Sequence, residues 1–162
     1  MAVLQNGNVS PGHSTIWVAN GVIGDGGPFP AGPRVLGSAF GASFNTTTDQ
    51  PILIPTTVSA WALTGIMVTN ASINLTSAVG GFYTQPSKGG IALVSASQNY
   101  IGLTAPSVLL QLLLTGAGAG TRLSPANVSL IGTQMAVFFS LTMAQGTTAT
   151  ADIYLLGVDL SA

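Results

Sequence analysis

The chain has 162 residues, of which 4% are charged, and a formal net charge of −1. Three cations scattered as Arg34, Lys88 and Arg122 cannot neutralise a phosphate track, which excludes an electrostatic nucleic-acid binder. There is no Cys and no Glu, so disulfides, thiolate chemistry and Cys-based metal sites are excluded, and Asp25, Asp49, Asp152 and Asp159 are the only acidic side chains.

This length suits one domain that buries ~70% of its unfolded surface around a single core. A free-standing small domain devotes ~25–35% of its surface to charged groups. A chain this poor in charge must be solubilised by Ser, Thr, Asn, Gln and Gly, or must bury much of its surface against copies or partners. The strong helix formers Glu, Lys and Arg are scarce or missing, whereas 21 Gly and 9 Pro punctuate intervals rich in Thr, Val, Ile and aromatics, as strands prefer. The expected class is all-β.

Residues 1–34 read as an extended N-terminal arm. Gly7, Pro11, Gly12, Gly21, Gly24, Gly26, Gly27, Pro28, Pro30, Gly32 and Pro33 interrupt it, and only Ile16 to Val18 can form a short strand. Leu4, Ile16, Trp17, Val22, Ile23 and Phe29 are apolar anchors for draping over its own body or a neighbouring subunit. The opening Met1 to Asn6 lacks the basic start and long apolar core of a signal peptide. Residues 35–50 are expected to be a connecting loop region.

Residues 51–162 are expected to form the body. Strands are predicted at Ile52–Ile54 and Trp61–Thr69, where Trp61, Leu63 and Met67 alternate with Ala62, Thr64, Ile66 and Val68. Further strands are predicted at Ile73–Leu75, Gly81–Thr84, Ile91–Val94, Val108–Leu114, Met135–Leu141 and Ala151–Val158. Turn residues divide them at Asn70, Gly80-Gly81, Pro86 to Gly90, Gly116 to Gly120, Ser124-Pro125 and Gln145-Gly146. Short strands at near-regular spacing indicate a sandwich or barrel, and eight suffice for a jelly-roll-like β-sandwich. Residues 105–114 also fit a helix with Pro106 in its first turn; the strand reading buries Val108–Leu114 on both faces, which calls for a second layer. That stretch is the longest apolar one and is far short of the ~20 residues that span a bilayer.

Candidate chemistry is sparse. His13 is the only histidine and follows Pro11-Gly12, so it reads as a surface turn residue; a metal site or a hydrolytic triad would need more partners. Asp152 and Asp159 are seven residues apart along one strand, an odd spacing that points them to opposite faces. Asp25, between glycines, and Asp49, after three threonines, read as loop residues. Gly116 to Thr121 lacks the Gly-Lys-Ser/Thr ending of a phosphate loop. Trp61, Phe138 and Phe139 are expected in the core or between subunits, whereas Trp17, Tyr83 and Tyr100 lie near turns and offer an alternative sugar-stacking platform. No catalytic, cofactor-binding or metal-binding residue is assigned.

Two stretches carry a resemblance. Gly7 to His13 with Trp17 and Asn20 to Gly27 resembles connector segments of tailed-bacteriophage tail-fibre and head-associated proteins. Leu63 to Ser72 and Ala149 to Gly157 resemble small phage and prophage structural proteins. The resemblance implies a virion protein made in the host cytoplasm, a homotrimeric β-module whose partners are itself and phage capsid or tail proteins, with no nucleic acid and no membrane. It implies no catalytic residue. Two functions follow as expectations: a capsid decoration or cement protein, or a tail-fibre or receptor-binding module that recognises a host glycan.

Overall fold

The computed structural model describes residues 15–18, 22–25, 33–105 and 108–161, and the chain divides into two units, Met1–Gly32 and Pro33–Ala162. In the first, Thr15–Val18 (β1) and Val22–Asp25 (β2) pair antiparallel with Trp17 opposite Ile23. The expectation of a single short strand there is corrected, and Asn20-Gly21 is the sequence signal for such a hairpin. The docking of an arm and the placement of His13 lie outside the described residues.

The second unit is all-β, with two antiparallel sheets packed as a sandwich. Its strands are Arg34–Ser43 (β3), Gln50–Leu53 (β4), Trp61–Thr69 (β5), Val79–Gln85 (β6), Gly89–Val94 (β7), Leu110–Leu112 (β8), Leu130–Ile131 (β9), Gln134–Met143 (β10) and Thr150–Asp159 (β11). One sheet has the order β3-β11-β5-β8; the other runs β4-β10-β6-β7, with β9 added to β10. The expected connecting loop over 35–50 is therefore corrected: most of it is β3, which pairs along β11. Its Gly37 and Gly41 resemble turn residues, but β3 absorbs them as irregularities of a long edge strand.

The core lies between the sheets. Phe44, Phe82, Tyr100 and Phe139 form its aromatic centre, with ring centroids 4.9 Å apart for Phe44–Phe139 and 5.0 Å for both Phe44–Tyr100 and Phe82–Phe139. Each such pair adds about 0.5–1.5 kcal/mol beyond area burial. Trp61, Leu36, Ile52, Leu63, Ile66, Ile153 and Leu155 extend this core and are fully buried or nearly so.

β5 departs from the simple alternation read from its sequence. Trp61 and Leu63 face the core, but so do Ile66 and Val68, while Met67 is half-buried and outside it. The register against β11 shifts between Leu156–Gly65 and Gly157–Leu63, leaving Thr64 as the extra residue. One inserted residue moves every later side chain to the opposite face. On β11, Gly157 sits at this irregularity, where an added Cβ would collide with the Ala62 carbonyl oxygen and Leu36.

Two other predicted strands change. Ile73–Leu75 is loop: Asn70 takes φ 55° and turns the chain out of β5, a conformation that Asn tolerates better than most residues. The Asn74 side chain then accepts from the Ala105 N–H. Val108–Leu114 contributes only the short strand β8, on the sheet edge. It is not buried on both faces: Leu112 is buried, whereas Leu109 and Leu113 are exposed.

Candidate interaction surface

Four connections gather at one end of the sandwich, residues 44–49, 70–78, 95–105 and 144–149, and backbone bonds brace them. Phe44 N–H donates to the Ala149 carbonyl, Gln145 N–H to that of Phe44, Ser72 N–H to that of Thr150, and Leu75 N–H to that of Leu103. Gln145 is the hub. Its Oε1 accepts from the N–H groups of Thr76 and Ser77 at 3.0 and 3.1 Å, and its Nε2 donates to Thr76 Oγ1 at 2.9 Å. The Ser77 hydroxyl donates back to the Gln145 carbonyl. The sequence marked Gln145-Gly146 only as a turn, because a loop-bridging amide has no local pattern.

The outward faces of the two sheets differ. On β10, Ala136, Phe138 and Ser140 alternate with core residues yet are buried, as is Tyr83 on β6. Burial pushes the Tyr83 hydroxyl pKa above its usual value, and the negative charge of Asp49 adds to the shift.

On the β3-β11-β5-β8 sheet the outward residues are less covered. Along β11, Ala151, Ile153, Leu155 and Gly157 are buried while Asp152, Tyr154, Leu156 and Val158 are half-buried. Register sets Ser38, Tyr154, Met67 and Gln111 side by side across all four strands, and sets Val35, Leu156 and Gly65 in the neighbouring row. Phe40 is 71% exposed and stands edge-on to Tyr154, with centroids 5.8 Å apart. Leu113, at the β8 edge, is 85% exposed. An antiparallel sheet that faces water on one side usually carries polar residues there; this face carries Val35, Phe40, Met67, Tyr154, Leu156 and Val158.

Its charge is confined to the ends. Asp152 is tied off locally: Oδ1 accepts from the Gly41 N–H at 2.8 Å and Oδ2 from Asn70 Nδ2 at 2.9 Å. Gly41 has φ +62° and sits where β3 bulges opposite Asp152, a conformation suited to Gly in a bulge. At the other end Asp159 is paired with Arg34. The hydroxyl and N–H of Ser161 bond to the Asp159 carboxylate and hold its pKa below the ordinary range; burial opposes this shift, and the Arg34 charge adds a lesser lowering.

Of the other residues singled out in the sequence, Asp49 accepts from the Ser87 N–H. Within the Gly116–Thr121 loop, Thr121 Oγ1 donates to the Ala117 carbonyl, and Gly118 packs against Leu93 so closely that a Cβ would overlap its backbone. The proposed sugar-stacking platform is corrected: Tyr83 and Tyr100 are buried, and Tyr100 donates to the Gly80 carbonyl inside the protein. Proximity to turns misled here: Tyr83 lies within β6 on the covered outward face of its sheet, and Tyr100 folds inward from the connection after β7. Among the described residues no three His, Asp or Glu side chains come together as a metal-ligating set, and no helix is long and apolar enough to cross a membrane. The chain matches no protein-family model and no curated protein.

Proposed function

We propose that this chain is a structural protein of a tailed-phage virion, a homotrimeric capsid decoration or cement protein that stabilises the assembled shell through surface complementarity rather than catalysis. The observation that carries this reading is the strand order. The eight strands β3–β8, β10 and β11 divide between the orders β3-β11-β5-β8 and β4-β10-β6-β7, so that the chain passes from one sheet to the other at β3–β4, β4–β5, β5–β6, β7–β8, β8–β10 and β10–β11. We read this as a jelly roll, an architecture used in viral capsid and lectin domains. The nearly uncharged composition supports extensive permanent contacts, which are more apolar than transient ones.

A wash of purified particles in about 1 M salt, where the Debye length falls to ~3 Å, tests the mechanism. Apolar burial and backbone hydrogen bonds survive such screening, so the protein is expected to stay on the shell, in hundreds of copies per virion. Quantitative release, or a copy number of a few dozen or fewer, overturns the reading. The alternative, a receptor-binding module for host glycan, is favoured by one observation, the exposed Phe40 ring beside Tyr154; specific retention on a glycan array would select it.

A further inference from the structure

We infer that the outward face of the β3-β11-β5-β8 sheet, centred on Tyr154 and Met67, is the surface through which one copy of this chain binds another. The inference rests on the homo-oligomeric part of the proposed function and specifies the face that serves it. Four strands of 10, 10, 9 and 3 residues, about 4.8 Å apart and rising about 3.3 Å per residue, span roughly 500 Å² in projection. Pleating and protruding rings such as Phe40 raise the accessible area toward the ~800 Å² per partner of a stable interface.

Charge selects the occupant. A partner of either sign would gain little, because Asp152 already bonds to Gly41 and Asn70 at the rim and Asp159 is already paired with Arg34. An identical copy presents an equally neutral apolar face, so pairing brings no row of like charges together. In a trimer the contact is heterologous, so one part of this face meets another part of its copy's; with charge only at the ends, Leu156 and Met67 on the two central strands give both parts the same uncharged chemistry. The other sheet does not compete, since its outward Ala136, Phe138 and Ser140 are buried within the single chain.

Two exposed positions on or beside this face and one away from it test the inference. Phe40→Lys and Leu113→Lys place a charge where the wild-type side chains are 71% and 85% exposed, while Leu130→Lys does so on β9 of the other sheet, at 49% exposure. In sedimentation of the full chain at micromolar concentration, wild type and Leu130→Lys are expected to form the same oligomer. The two face variants should shift to monomer while keeping the wild-type far-ultraviolet circular dichroism. A monomeric wild type, assembly unchanged in both face variants, or equal disruption by Leu130→Lys overturns the inference; the first of these would leave the face to a different protein. If a lysine variant fails to fold, Leu113→Cys supplies the test, because the chain has no other thiol. Its maleimide reactivity should rise at least tenfold on dilution to monomer, and reactivity independent of concentration overturns the proposal. Failure of the shell-binding reading is separately visible, as an oligomer that assembles through this face but is absent from the shell.

Discussion

Gln145 shows how one side chain can join segments far apart in sequence. Its amide holds Thr76 and Ser77, and its own backbone holds Phe44. Gln145→Ala would leave part-buried N–H groups without their acceptor. The expected cost is ~1–3 kcal/mol, read as a lower midpoint in urea with an unchanged slope. Asp159 makes a different prediction, about pH. Its folded-state pKa is depressed by Ser161 and Arg34, so the carboxylate's contribution is complete above the unfolded value of about 3.9 and is lost as pH falls through the lower folded value. Asp159→Asn should therefore flatten the acid limb of the stability curve below about pH 4 while leaving the shape between about pH 6 and 8, well above this titration, unchanged. Thermal melts from about pH 2 to about pH 8 check it. Solvent exposure keeps the effect small.

Among the elements, β11 is central to its sheet, pairing with β3 on one side and β5 on the other. Both pairings contain irregularities, and these decide which side chains face inward. Gly157 lets the backbones of β11 and β5 approach at one of them. Gly157→Ala would force a Cβ against the Ala62 carbonyl and Leu36, an overpacking expected to cost ~1–3 kcal/mol and to appear as faster amide exchange along β5. β8 carries the opposite lesson. Its composition suggested burial on both sides, but a strand at a sheet edge has one neighbour, so the apolar residues Leu109 and Leu113 remain exposed.

For the whole molecule, the division into Met1–Gly32 and Pro33–Ala162 frames the last prediction. The second unit contains both sheets and the aromatic core, so deletion of residues 1–32 is expected to leave a β-sheet circular dichroism signal and a cooperative thermal transition. On our reading the N-terminal segment serves attachment, and the truncated protein should incorporate poorly into particles. Normal incorporation, measured by copy number per particle, would show the segment to be dispensable for attachment.

Composition alone determined the β class, because scarce charged helix formers, frequent Gly and Pro, and intervals rich in Thr, Val and aromatics act locally on backbone preference. It also located β5, β7, β10 and β11 closely, since those strands lie between clear turn residues. Tertiary structure decided the rest. β3 is a strand because β11 supplies its hydrogen-bond partners, despite Gly37 and Gly41. Met67 faces outward because Thr64 is an extra residue in the pairing with β11, and Tyr83 and Tyr100 are buried because neighbouring segments cover them rather than leaving them at loop tips. The Phe40–Tyr154 surface was illegible for the same physical reason: its residues come together across strands far apart in sequence, Tyr154 beside Ser38, Met67 beside Tyr154 and Gln111 beside Met67, and no local pattern encodes that pairing.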